Sequence, residues 1–161
     1  MKTFSLTTLV ICASMILLSA TTYDADLTKE FNKNKGKLPW PVEGSISVPF
    51  GVYKIGDTKI RGRNAGITIS TTATDLPVKS VFNGIIDQVD RGELTTVYIR
   101  HGKYSTVYSN LSDITVHKGE EVTTGQTLGH IGEAYAAPGG ELNFLLMVDN
   151  NNVNPALWLH K

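Results

Sequence analysis

A two-residue period of apolar side chains constrains this chain more than any other feature. Ala65, Ile67 and Ile69 alternate with Asn64, Gly66, Thr68 and Ser70. Val97 and Ile99 alternate with Thr96, Tyr98 and Arg100, and Leu142, Phe144, Leu146 and Val148 alternate with Asn143, Leu145 and Met147. Successive side chains of an extended strand leave opposite faces of a sheet, so the pattern specifies half-buried strands. Turn signals separate the runs roughly every ten residues, at Asn83-Gly84, Arg91-Gly92, His101-Gly102, Lys118-Gly119, Thr124-Gly125 and Pro138-Gly139-Gly140. Many short strands at that spacing predict an antiparallel all-β domain.

The ends of the chain read differently. Residues 1–20 have the form of a secretory signal, with Lys2 before the apolar run Leu9 to Leu18 and the small pair Ser19-Ala20 after it. That run is shorter than the roughly 20 residues a membrane-spanning helix needs, so no stable span is expected once the signal is cleaved. The only cysteine, Cys12, falls inside it, and Ile11 stands where lipid attachment wants a small residue. No disulfide or thiolate site is therefore expected beyond residue 20. Residues 21–37 are polar and form a linker or a short helix, with Leu27 and Phe31 spaced i, i+4 and Asp24 or Asp26 as caps. Leu38-Pro39-Trp40-Pro41 opens the domain, which runs over 38–161, with Trp40 as an apolar plug. At the other end Asn154 can cap a helical turn with Pro155 at its first position, and Leu157 and Trp158 can dock on the sheet.

Lys+Arg and Asp+Glu each number 15, which excludes the basic footprint of a nucleic-acid binder. Lys29, Lys33, Lys35 and Lys37 cluster just before the domain and read as a solvated segment.

Several strings occur in a familiar order: PVEGSISVPFG, NAGITI, LPVKSVFNGIIDQVD, TTVYIRHGKYSTVYSNLS, VHKGEEVTTGQTLGHIG and ELNFLLMVDNNNVNPALWL. Together they resemble the catalytic-type domain of the lysostaphin/LytM peptidoglycan peptidases across 38–161. FNKNKGKLPWPV and VYSNLS most resemble the EnvC-type murein hydrolase activators, non-catalytic members of that group. The resemblance implies an antiparallel, sheet-based duplicated-hybrid-motif fold with an open groove.

It also implies which positions matter. Active relatives carry His-x-Gly-Ile-Asp, with zinc ligands at both ends, where this chain has Asn64-Ala65-Gly66-Ile67-Thr68. Their His-x-His-Phe-Glu, holding the third ligand and a catalytic histidine, is here Glu141-Leu142-Asn143-Phe144-Leu145; their Tyr-x-His-Leu is Tyr108-Ser109-Asn110-Leu111. Zinc sites are built from thiolate, imidazole or carboxylate, which amides and a hydroxyl do not replace. Without the ion no water is activated, and asparagine does not shuttle protons near neutral pH. Glu141 alone could act as a base, with nothing to work on. His101, His117, His130 and His160 lack the close spacing of a ligand pair and read as structural or surface residues. No metal or other cofactor is expected.

The remaining expectation is binding. If the implied geometry holds, Asn143 points into the groove, and Leu145 and Met147 make part of its floor apolar. Asn64, Thr68, Asn110 and Glu141 surround it, and Arg61 and Arg63 line its rim. Such a groove suits an amphipathic helix. The resemblance implies a cell-wall amidase or another envelope protein as partner, and a peptidoglycan stem peptide is the alternative ligand. The long coiled coil of the EnvC-type proteins is missing here, because no heptad repeat is present.

Overall fold

The computed structural model describes residues 22–135 and 137–161, so the signal expected at 1–20 lies outside the described residues. A helix, α1, covers 22–33. Twelve strands follow: β1 (Ser45–Val48), β2 (Gly51–Lys54), β3 (Arg61–Asn64), β4 (Ile67–Thr71), β5 (Pro77–Lys79), β6 (Gly84–Arg91), β7 (Thr95–His101), β8 (Tyr104–Ser112), β9 (Glu121–Val122), β10 (Thr127–Glu133), β11 (Gly140–Val148) and β12 (Asn151–Val153). Ten form one sheet, ordered β1-β4-β11-β10-β8-β7-β6-β9, with β12 beside β11 and β5 beside β10; β2 and β3 make a separate hairpin. Every strand pair is antiparallel, as the alternation predicts.

One irregularity shapes the molecule. From Asn143 to Val148, β11 pairs directly with β8. Toward its start β11 leaves β8, and β10 enters between them, placing Gly132 opposite Glu141 and Ile131 opposite Leu111. The sheet forks where these three strands part.

Register sorts the side chains onto two faces. Ile67 pairs with Phe144, Phe144 with Tyr108 and Tyr108 with Val97, making a rung of the core. Leu146, Thr106 and Ile99 make the next rung, and all seven of these residues are buried. The face turned the other way carries the residues expected to line a groove.

α1 closes one end of the core. Phe31 is fully buried, its ring stacked 4.6 Å from that of Tyr104 and edge-on to Phe82 at 5.2 Å. Asp24 and Asp26 sit within the helix instead of capping it, and Asp24 forms an ion pair with Arg100. The helix meets the β7–β8 turn at Gly102, which has φ 71° and lies so close that a Cβ would strike Thr28 Oγ1. Lys29, Lys33, Lys35 and Lys37 are all exposed, as expected; Lys33 forms a surface ion pair with Glu30 at 2.6 Å, and the Lys35 ammonium lies 5.2 Å from the Trp158 ring centre.

The domain opening and its last turn meet. Leu38 forms a parallel bridge with Leu159, through Leu38 N–H to Trp158 O at 3.0 Å and His160 N–H to Leu38 O at 2.9 Å. Trp40 Nε1 donates to His160 O at 3.0 Å. Asn154 caps the 3-10 turn Pro155–Leu157, its side chain accepting Ala156 N–H at 3.0 Å. Trp158 docks, but Leu157 is exposed and Leu159 is buried in its place. Side chains at i and i+3 of a 3-10 turn share a face, so Pro155 and Trp158 turn inward together and Leu157 turns out.

Candidate binding groove

The groove floor is built rung by rung. Thr68, Asn143, Ser109 and Thr96 stand in cross-strand register over β4, β11, β8 and β7, on the face opposite Phe144. The next rung, Leu145, Val107 and Tyr98, is apolar, and Met147, Ser105 and Arg100 follow. Leu145 and Met147 thus share a face with Asn143, as strand alternation requires.

Three polar residues on this floor satisfy one another. Thr68 Oγ1 donates to Asn143 Oδ1 at 3.0 Å, and Asn64 Nδ2 donates to Thr68 Oγ1 at 3.3 Å. Asn64 Nδ2 also reaches Val48 O at 3.4 Å, while its Oδ1 accepts Gly66 N–H at 3.2 Å. Thr68 is 5% exposed, so its hydroxyl depends on these partners in place of water.

Asn110 has a different task. It is the extra residue of a bulge, since Thr96 faces Ser109 while Thr95 faces Leu111, and it takes φ 70°. Its Nδ2 donates to Glu133 O at 3.0 Å and to Glu141 O at 2.7 Å, bridging β10 and β11 where the sheet forks. Gly132 makes room for it, because a Cβ there would lie 2.7 Å from both Asn110 O and Oδ1.

A cavity of about 390 Å³ opens beside the fork, lined by Glu93, Leu94, Asn110, Glu133, Tyr135, Glu141 and Asn143. Of the residues anticipated from sequence, Asn110, Glu141 and Asn143 meet there. Asn64 and Thr68 join through hydrogen bonds behind Asn143, and Leu145 and Met147 lie further along the floor, outside the cavity lining. Arg61 and Arg63 sit exposed on the β2–β3 hairpin, also outside it, with no ion pair among the described residues. Sequence reasoning missed Glu93, Leu94, Glu133 and Tyr135, which come from connections and a strand end with no motif of their own. A larger depression of about 710 Å³ beneath Trp40 is lined by none of the anticipated site residues.

The family model described as Peptidase family M23 matches residues 62–155. The chain belongs to peptidase family M23. An uncharacterized protein of Neisseria meningitidis serogroup B is 30% identical over 134 residues, which cover 80% of this chain and 21% of that protein. The chain spans less than a third of the length of such curated relatives. A chain of the SpoIIQ–SpoIIIAH pore-forming complex superposes with TM-score 0.66 at 20% identity, over 79% of this chain and 93% of that one. A zinc-containing peptidase from Vibrio cholerae superposes with TM-score 0.62 at 25% identity, over 76% of this chain and 40% of that one.

A zinc ion of the kind M23 peptidases hold does not fit the residues of this member. At the expected ligand positions stand two carboxamides and a hydroxyl, without imidazole or carboxylate. The Oδ1 atoms of Asn64 and Asn143 and the hydroxyl of Thr68 already have protein partners.

Its histidines lie elsewhere. His101 is fully buried, with Nδ1 2.6 Å from Asn83 O and Nε2 2.8 Å from Thr106 Oγ1. A carbonyl only accepts, so Nδ1 carries the proton and Nε2 accepts from Thr106. Burial pushes the His101 pKa down to about 4, and burial raises the neighbouring Tyr108 phenol to about 12. His117 is exposed 3.8 Å from Glu120, and His160 is exposed near the C-terminus. His130 lies on β10 with an unpartnered ring nitrogen.

Proposed function

We propose that this domain is an exported, non-catalytic M23 member that binds and activates a cell-wall hydrolase, such as an N-acetylmuramoyl-L-alanine amidase, through the groove. The observation that carries the proposal is the hydrogen-bonded set Asn64–Thr68–Asn143. It occupies the family's ligand positions with groups that hold each other and leave a polar rung beside an apolar one. That combination suits an amphipathic helix, whose apolar stripe lies along Leu145 while its polar flank meets Asn143 and Glu141.

One further fact supports a protein partner, and another supports export. A chain of similar fold is found in a two-protein complex, SpoIIQ–SpoIIIAH. The signal-like residues 1–20 support export, and no helix among the described residues is long and apolar enough to cross a membrane.

The cavity favours one alternative. Glu93, Glu133 and Glu141 surround it beside Tyr135, with no lysine or arginine in the lining. Such a lining suits a ligand bearing an ammonium group, as a peptidoglycan stem peptide does.

Affinity capture from envelope extract, followed by an amidase assay with and without the domain, separates the readings. Capture and stimulation of an amidase support regulation. Retention on purified sacculi with no effect on amidase supports peptidoglycan recognition. Chelator-sensitive cleavage of cross-bridges by the domain alone overturns both.

A further inference from the structure

The fork that shapes the groove also gathers three metal-binding side chains that the sequence keeps far apart. His130 on β10 pairs with Ser112 at the end of β8 and with Pro77 at the start of β5. Asp113 directly follows Ser112, and Asp75 stands two residues before Pro77. Sheet pairing therefore brings both aspartates beside the histidine, and ligand atoms from Asp75, Asp113 and His130 lie within 4.8 Å of one another.

A second observation is independent of that clustering. The Nδ1 atom of His130 is buried and has no hydrogen-bond partner, the only such side-chain atom among the described residues. Folded proteins rarely leave a buried polar nitrogen without a partner. A cation at Nδ1 would give that nitrogen the partner it lacks.

We propose that Asp75, Asp113 and His130 bind a divalent cation of the zinc class. One imidazole nitrogen and two carboxylate oxygens form a three-ligand protein set, and a water completes four-coordination. Imidazole selects zinc-like ions over magnesium and calcium, which prefer all-oxygen shells. With ligands at about 2.0–2.1 Å, tetrahedral coordination brings ligand atoms about 3.4 Å apart. Both aspartates are exposed, so their side chains are free to swing inward by that difference.

The site is distinct from the lost peptidase centre but shares its scaffold. Asn110 lies three residues before Asp113 on the same chain segment, and Glu133 three residues after His130. Alternation along β10 turns His130 to the same face as Gly132, against which Asn110 packs. A bound ion would tie the segment before β5 to the end of β8 across β10, and so steady the fork beside the cavity.

The test is calorimetric titration of the chelator-stripped full chain with zinc chloride, alongside thermal unfolding with and without zinc. One equivalent should bind and raise the unfolding temperature, with EDTA reversing the rise. His130→Gln and Asp113→Asn should each weaken binding roughly tenfold or more, since even losing a group that only supports a ligand costs that much. Far-UV circular dichroism checks that each variant folds, and Asp75→Asn, at an exposed position, gives a second reading if one does not. Substituting the exposed His117 and His160 should leave binding unchanged, as should Asn64→Ala and Asn143→Ala. No binding at millimolar zinc overturns the proposal, and so does binding that survives His130→Gln and Asp113→Asn in folded protein.

Discussion

Thr68 Oγ1 donates to Asn143 Oδ1 at 3.0 Å across the β4–β11 pair, joining two positions where peptidases of the LytM type are expected to hold a metal. The hydroxyl and the amide complement each other, one donating and one accepting.

Thr68→Val removes the hydroxyl while keeping the shape. It leaves Asn64 Nδ2 with only its longer contact to Val48 O and deprives Asn143 Oδ1 of its donor. The expected cost is about 1–3 kcal/mol, the penalty for part-buried polar atoms losing partners. Urea unfolding measures it as a lower midpoint at unchanged slope.

Asn143→Asp keeps the acceptor for Thr68, so the variant should fold, yet it adds charge beside Glu141. Leu145→Glu places a carboxylate on the apolar rung. Each should weaken amidase binding about tenfold or more, because an unpaired charge buried in an interface is costly. Surface plasmon resonance against the captured amidase provides the measurement, and unchanged affinity in both variants places the partner elsewhere.

His101 sets a pH dependence. Its folded pKa lies near 4, below the ordinary 6.5, so the unfolded chain binds the extra proton first. The stabilising effect of keeping the ring neutral is complete above about pH 6.5 and is lost as pH falls toward 4. Stability should drop by about 2 kcal/mol between pH 7 and pH 5. His101→Gln should be less stable at pH 7 and lack this dependence, which denaturant titrations at several pH values would reveal.

Gly132→Ala puts a Cβ 2.7 Å from the Asn110 side chain and backbone oxygens. The fork must open or Asn110 must release Glu133 and Glu141. A loss of about 1–3 kcal/mol is expected, as for other overpacked sites, and the Asn110 side-chain amide resonances should shift in an NMR spectrum.

Phe31→Ala tests whether the segment before residue 38 is part of the folded unit. The ring is fully buried against Tyr104, Phe82 and Trp158. Truncation of such an aromatic should cost about 3–5 kcal/mol, seen as a lower thermal midpoint. A loss below 1 kcal/mol would mean that α1 is an ornament on an independent sheet.

The strands were legible because alternation is a local code: Ile67 and Ile69, or Phe144 and Leu146, need only neighbours in sequence to declare a buried face. The order of the surrounding strings singled out Asn64, Thr68 and Asn143. What those residues do to one another was not legible, because it depends on β4 and β11 lying side by side. Asn110 shows the limit more sharply. Its left-handed backbone comes from a register shift against β7, which no spacing in the sequence records. The union of Asp75, Asp113 and His130 is likewise a product of β10 running between two other strands. Leu157 misled because the last turn is 3-10, and three residues per turn swing it outward.

The parallel bridge between Leu38 and Leu159 has a mechanical consequence. A tether drawn from the chain ahead of residue 38 and another from beyond residue 159 would pull these two backbones past each other. Their hydrogen bonds would take the load in shear before any sheet strand could be peeled. A domain held at both flanks of the fold would thus carry tension through this bridge and keep its sheet in shape.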